Sequence, residues 1–153
     1  MRKSVMIVTL TIVLILLSVL ILRESSVTTI GEEINAGELN EIAYIYLQDE
    51  SGEMKYTYIT DESSIRQFSD ELFEISIIST NTPIDASNIQ YWVEVHSQVE
   101  ELFTLSLTSN ALKISDPNLQ NDLTSISTRY YELANVEDID FINNMELDFR
   151  ELE

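Results

Sequence analysis

Residues 116–133 read DPNLQNDLTSISTRYYEL, and the fold class turns on this stretch. Asp116 is a good helix N-cap, because a short carboxylate can accept from the free N–H groups of a first turn. Pro117 then stands at the first helical position, where a missing N–H costs nothing. Leu119, Leu123, Ile126, Tyr130 and Leu133 follow at spacings of four, three, four and three. At 3.6 residues per turn they form one apolar stripe. The stretch therefore predicts an amphipathic helix lying across one face of a sheet.

Working outward, the preceding residues change to period two. Ile89–Val95 (IQYWVEV) and Glu101–Leu107 (ELFTLSL) read as strands joined by a turn at His96–Glu100. In the second of them Phe103, Leu105 and Leu107 oppose Leu102, Thr104 and Ser106. Ser109-Asn110 turns the chain again, into a short strand at Ala111–Ile114. Further upstream, Glu41–Leu47 (EIAYIYL) and Glu53–Thr60 (EMKYTYIT) flank the turn cluster Asp49-Glu50-Ser51-Gly52 and predict a hairpin. Thr60 or Asp61 can cap a helix carrying Ile65, Phe68 and Leu72, and Ile75–Ser79 returns to a strand pattern. The sum is an α+β domain over residues 41–135: an antiparallel sheet with two or three helices packed on it. The acidic tail 136–153 fits a helix through Ile139, Ile142, Met145, Phe149 and Leu152. Met145, Leu147 and Phe149 also fit a strand; the helix is the expectation.

The N-terminus has a different character. Val5–Leu22 contains no charge, and its polar members are Thr9, Thr11 and Ser18. As a helix it would be roughly 27 Å long, close to the hydrocarbon thickness of a bilayer. The expectation is a transmembrane signal anchor over residues 1–23, embedded through residues 5–22, with a flexible linker over 24–40 spanning on the order of 20–25 Å. Arg2 and Lys3 precede the apolar run, which places the N-terminus in the cytoplasm and the domain outside the cell membrane. The alternative is a signal peptide that is cleaved to release a secreted protein. Against it stand the length of the apolar run and the lack of small residues around Val19–Leu22.

Charge narrows the partners. Residues 1–23 hold three of the eight basic groups and none of the 27 acidic ones, so the rest carries a net charge of −22. Such a surface repels phosphate backbones, and no nucleic-acid partner is expected. Metal cations, basic peptides or a basic protein face are the attractions left. The chain has no cysteine, which removes disulfides, thiolate metal sites and a cysteine nucleophile.

No catalytic constellation stands out. His96 is the only histidine, and no Gly-x-Ser-x-Gly elbow accompanies the serines. Read alone, His96 is an ordinary strand-end residue. Carboxylates such as Glu94 and Glu101 would be needed by an enzyme acting on a wall polymer. For calcium, which favours clustered oxygens, the candidates are Asp49, Glu50 and Glu53 around one turn, and Asp116, Asn118 and Asp122 around the expected helix start. Tyr91 and Trp92 are candidates for an interaction patch, because these residue types often anchor interfaces; Tyr130 falls on the helical stripe and is expected in the core. No cofactor is implied.

The hairpin, then Tyr91-Trp92-Val93-Glu94-Val95, Leu102–Thr108 and a closing segment with Tyr130-Tyr131, all behind an N-terminal apolar segment, resemble small exported bacterial domains of unknown function typical of Gram-positive genomes. The resemblance covers about residues 40–133 and implies no functional residues. The expected function is a non-catalytic binding module for another envelope or secreted protein. The alternatives are a carboxylate-dependent enzyme on a cell-wall polymer and a calcium-responsive structural or sensor domain.

Overall fold

The computed structural model describes residues 11–13, 27–36, 39, 41–50, 53–116 and 127–151. In chain order its elements are β1 (Val27–Thr29), α1 (Ile30–Glu33), β2 (Tyr44–Asp49), β3 (Lys55–Ile59), α2 (Glu62–Glu74), β4 (Ser76–Thr80), β5 (Tyr91–His96), β6 (Glu101–Leu107), β7 (Ala111–Asp116), β8 (Ser127–Leu133), α3 (Asp140–Asn144) and β9 (Arg150–Glu151). The strands form one sheet in the order β1-β4-β8-β7-β6-β5-β2-β3-β9, with every pair antiparallel.

Period-two alternation divides the sheet into two faces. Ile45, Leu47, Val93, Leu105, Leu112 and Tyr131 point to the buried face. Helix α2 covers it, with Asp61 as the N-cap accepting from the Ser64 N–H at 2.8 Å and with Phe68 and Leu72 fully buried. Phe68 meets Phe141 of α3 edge-on, with ring centroids 5.3 Å apart. Ile30 of α1 and Ile142 of α3 complete this core.

The α+β expectation is corrected to a mainly β fold, a nine-stranded antiparallel sheet with a few short helices. The largest change is in residues 116–133. Asp116 closes β7 opposite Ser127, and Ser127–Leu133 is a central strand between β7 and β4. The reason is in the pairing. Without β8, the facing edges of β7 and β4 would each leave a row of backbone groups unpaired. The segment also has its own alternation: Tyr131 and Leu133 point into the core, and Tyr130 lies on the opposite face. Tyr130, expected in the core, gives that place to Tyr131. The rest of the expected helix, 117–126, lies outside the described residues.

The transmembrane helix is corrected too. No helix among the described residues is long and apolar enough to cross a membrane. Of the span 5–22, only residues 11–13 are described. Part of the stretch read as a linker belongs to the fold. Val27–Thr29 pairs with β4, and Thr29 and Glu32 form a reciprocal capping box at the start of α1. The tail is mixed rather than one helix. A 3₁₀ turn at Val136–Ile139 leads into α3, and β9 then pairs with β3.

Candidate functional site

The second face of the sheet carries the chemistry. Strands β2, β3 and β5 present Tyr44, Tyr46, Tyr56, Tyr58, Trp92, Glu94 and His96 there, and none of these is fully buried. The placement follows from alternation: each is two residues from the next on its strand, and the residues between are mostly core. Tyr46 stands opposite Tyr58 on one side and opposite Glu94 on the other. The Tyr46 and Tyr58 ring centroids are 5.1 Å apart, those of Tyr56 and Tyr58 5.8 Å, and those of Tyr44 and Tyr58 6.4 Å. These are favourable distances for tilted and edge-on aromatic contacts. Tyr58 is 57% exposed, so the cluster is an outward-facing surface and not a second core. Burial, followed by the neighbouring Tyr58, Glu94 and Tyr56, holds the Tyr46 hydroxyl above its ordinary pKa.

At one end of this face three ionisable side chains converge. One ligand-type atom from each of Glu94, His96 and Glu101 lies within 4.8 Å of the other two. Among the described residues no other group of three histidines, cysteines or acids is so placed. The His96 ring stacks on Tyr44 at 4.5 Å with the planes 10° apart, and its Nε2 is 3.1 Å from Glu94 Oε2. The Trp92 indole N–H donates to Glu94 Oε1 at 3.0 Å, and the Thr104 hydroxyl donates to Glu101 Oε1 at 2.8 Å.

A β-bulge makes this convergence possible. Val95 pairs with Phe103, but His96 pairs with Glu101, so the register shifts by one between them. In an unbroken ladder Glu101 would share a face with Phe103 and point into the core. The extra residue turns Glu101 to the face that carries His96. The turn is secured by Ser97, whose hydroxyl oxygen accepts from the N–H groups of Val99 (3.3 Å) and Glu100 (3.1 Å).

The candidates read from sequence are dispersed. Tyr91 is on the core face, with its hydroxyl donating to Asn143, while Trp92 is half-buried on the opposite face. Asp49 ends β2 opposite Lys55 and Tyr91. Glu53 pairs with Lys55 at 3.4 Å. Glu50 lines a separate polar cleft of about 620 Å³, between the 80–90 loop and the turn at Thr108–Ala111. The carboxylates of Asp49, Glu50 and Glu53 do not converge within 4.8 Å of one another. Of the second calcium set, Asn118 and Asp122 lie outside the described residues. Sequence reasoning named Glu94, Glu101 and His96 separately and missed their meeting. The available signal was the Glu94-x-His96 spacing within a strand, which places both on one face, followed by a short turn leading to Glu101.

No family model matches the chain, and comparison with curated proteins and with solved structures finds no match.

Proposed function

We propose that the protein is a non-catalytic binding module, acting outside the cytoplasm, that takes a basic segment of another envelope or secreted protein on its tyrosine-bearing face. The observation that carries this reading is the outward-facing cluster of Tyr44, Tyr46, Tyr56 and Tyr58 on adjacent strands. Tyrosine offers a large amphipathic contact area and loses few rotamers on binding, which suits it to recognition surfaces. Lysine and arginine side chains can lie over its rings. A net charge of −19 favours a cationic partner over an anionic one and speeds its approach.

The test is calorimetric titration of the full chain, in non-ionic detergent, with extended peptides rich in lysine and arginine or in glutamate. Saturable binding of the basic peptides is expected, weakening as salt is raised. Tyr58→Ser is expected to reduce it at least about fivefold, as loss of roughly 1 kcal/mol from an aromatic contact implies. Equal affinity for both peptide classes, or no effect of Tyr58→Ser, would overturn the reading.

A further inference from the structure

We infer that Glu94, His96 and Glu101 form a site for a first-row divalent transition-metal ion of the zinc class. This stands apart from what the tyrosine face binds, and either reading can fail alone.

Donor chemistry selects the ion. One imidazole with two carboxylates is a ligand set for zinc and its neighbours, whereas calcium favours six to eight oxygens and magnesium an octahedral oxygen shell. The residues come from two adjacent strands and a bulge, a more rigid frame than a loop. Side-chain exposures of 15% for His96 and 31% for Glu94 leave the cluster reachable from solvent while shielding much of it.

Two further features point the same way. First, each carboxylate has one oxygen engaged by a side-chain donor, Trp92 to Glu94 and Thr104 to Glu101, and a second oxygen besides. Outer donors of this kind orient metal ligands. Second, the arrangement brings two carboxylates together with one imidazole. Lys55 pairs with Glu53, Arg129 with Glu33 and Arg150 with Asp148, and Lys113 lies over Trp92. A His96–Glu94 hydrogen bond accounts for two of the three residues. It gives no reason for a bulge that turns a second carboxylate out of the core toward them. A divalent cation does, because it offsets the mutual repulsion of Glu94 and Glu101.

Trp92 supplies a built-in reporter. It is the chain's only tryptophan, and its indole N–H is bound to a proposed ligand. The full chain in non-ionic detergent, stripped with a chelator and dialysed, is titrated with zinc chloride by calorimetry while Trp92 emission is followed. One saturable zinc site per chain is expected, with a change in emission of matching midpoint. Glu101→Gln preserves shape and the acceptor for Thr104, and is expected to weaken zinc at least about tenfold. His96→Ala should do the same, and Glu53→Gln should change nothing. If His96→Ala does not fold, Glu101→Gln decides alone. No saturable zinc binding, unchanged affinity in folded Glu101→Gln, or calcium chloride binding as tightly as zinc would each overturn the assignment.

Discussion

The Lys113 ammonium lies 5.5 Å from the centre of the Trp92 ring, although a whole strand separates their backbones. Both residues stand opposite Ser106 of β6, Trp92 from β5 and Lys113 from β7. Their side chains face each other across it. Ser106 is fully buried on the side of the sheet that faces away from the core, and among the described residues its hydroxyl has no hydrogen-bond partner. The cation–π contact thus coincides with a buried, unsatisfied polar group.

A buried hydroxyl with no partner costs about 1–3 kcal/mol relative to one that is bonded. Ser106→Ala removes it with little change of volume. The variant is expected to be as stable as the parent or up to about 1 kcal/mol more stable in urea denaturation. A loss of stability of similar size would show that the hydroxyl is satisfied in solution.

Gly31 offers a steric test of how α1 seats on α2. A Cβ built there would lie 3.0 Å from Phe73 Cβ and 3.1 Å from the Phe73 carbonyl oxygen. The near atoms belong to backbone and to the root of a side chain, so they cannot swing away. Gly31→Ala is expected to destabilise by about 1–3 kcal/mol, despite alanine's better helix propensity. A thermal midpoint at or above that of the parent would mean that α1 has room to shift.

Phe68 joins α2 to the sheet and, through Phe141, to α3, and it is fully buried. Phe68→Ala is expected to cost about 3–5 kcal/mol in chemical denaturation. A cost near 1 kcal/mol would mean that the helical layer can collapse into the space or is not firmly attached.

These tests fall on parts of the fold that differ in how far they could be read from sequence. The β5–β6 hairpin, the β2–β3 hairpin and helix α2 were legible because alternation or a cap with helical spacing marks each one. Ser127–Leu133 was not. Its apolar residues satisfy a helical stripe through Tyr130 and a strand through Tyr131, and the choice is made by two distant strand edges, on β4 and β7, that need a partner. The site was half legible. Glu94 and His96 share a face by strand alternation alone. Glu101 carries the parity of Phe103 and would be assigned to the core, and only the one-residue bulge reverses it. A bulge leaves no clear mark when the residues around it, here Glu101 and Leu102, suit a regular strand. Pairing across distance and register shifts are properties of the assembled sheet, so local pattern reading passes them by.

Titration of Tyr46, Tyr91 and Tyr131 is expected to lower stability at alkaline pH. Burial raises the hydroxyls of Tyr46, Tyr91 and Tyr131 above the ordinary value. Neighbouring charges add to the rise at Tyr46 and Tyr91, and Arg129 offsets part of it at Tyr131. A folded pKa above the unfolded one, about 10, means that the native state holds protons which the unfolded state releases. Their contribution is complete below about pH 10 and is lost as pH rises through the folded values. The thermal midpoint should fall over that range, and phenolate absorbance of the native protein should lag behind that of the denatured chain. Tyr131→Phe should make the fall shallower. Native tyrosines that all titrate like free ones would contradict the burial of Tyr91 and Tyr131.

The contact between Lys113 and Trp92 allows a test that a single substitution cannot provide. Lys113→Ala removes the cation–π contact, worth about 0.5–1 kcal/mol at a partly exposed site. It should also open Trp92 to solvent, shifting its emission to the red and increasing its quenching by acrylamide. It is also expected to uncover Ser106, so that water can reach the hydroxyl. The benefit of Ser106→Ala should therefore shrink or vanish in a Lys113→Ala background. A double-mutant cycle in denaturant should return a coupling of at least about 0.5 kcal/mol, as expected for residues that share a contact. Strict additivity, with Ser106→Ala helping equally in both backgrounds, would show that something other than Lys113 keeps water from Ser106.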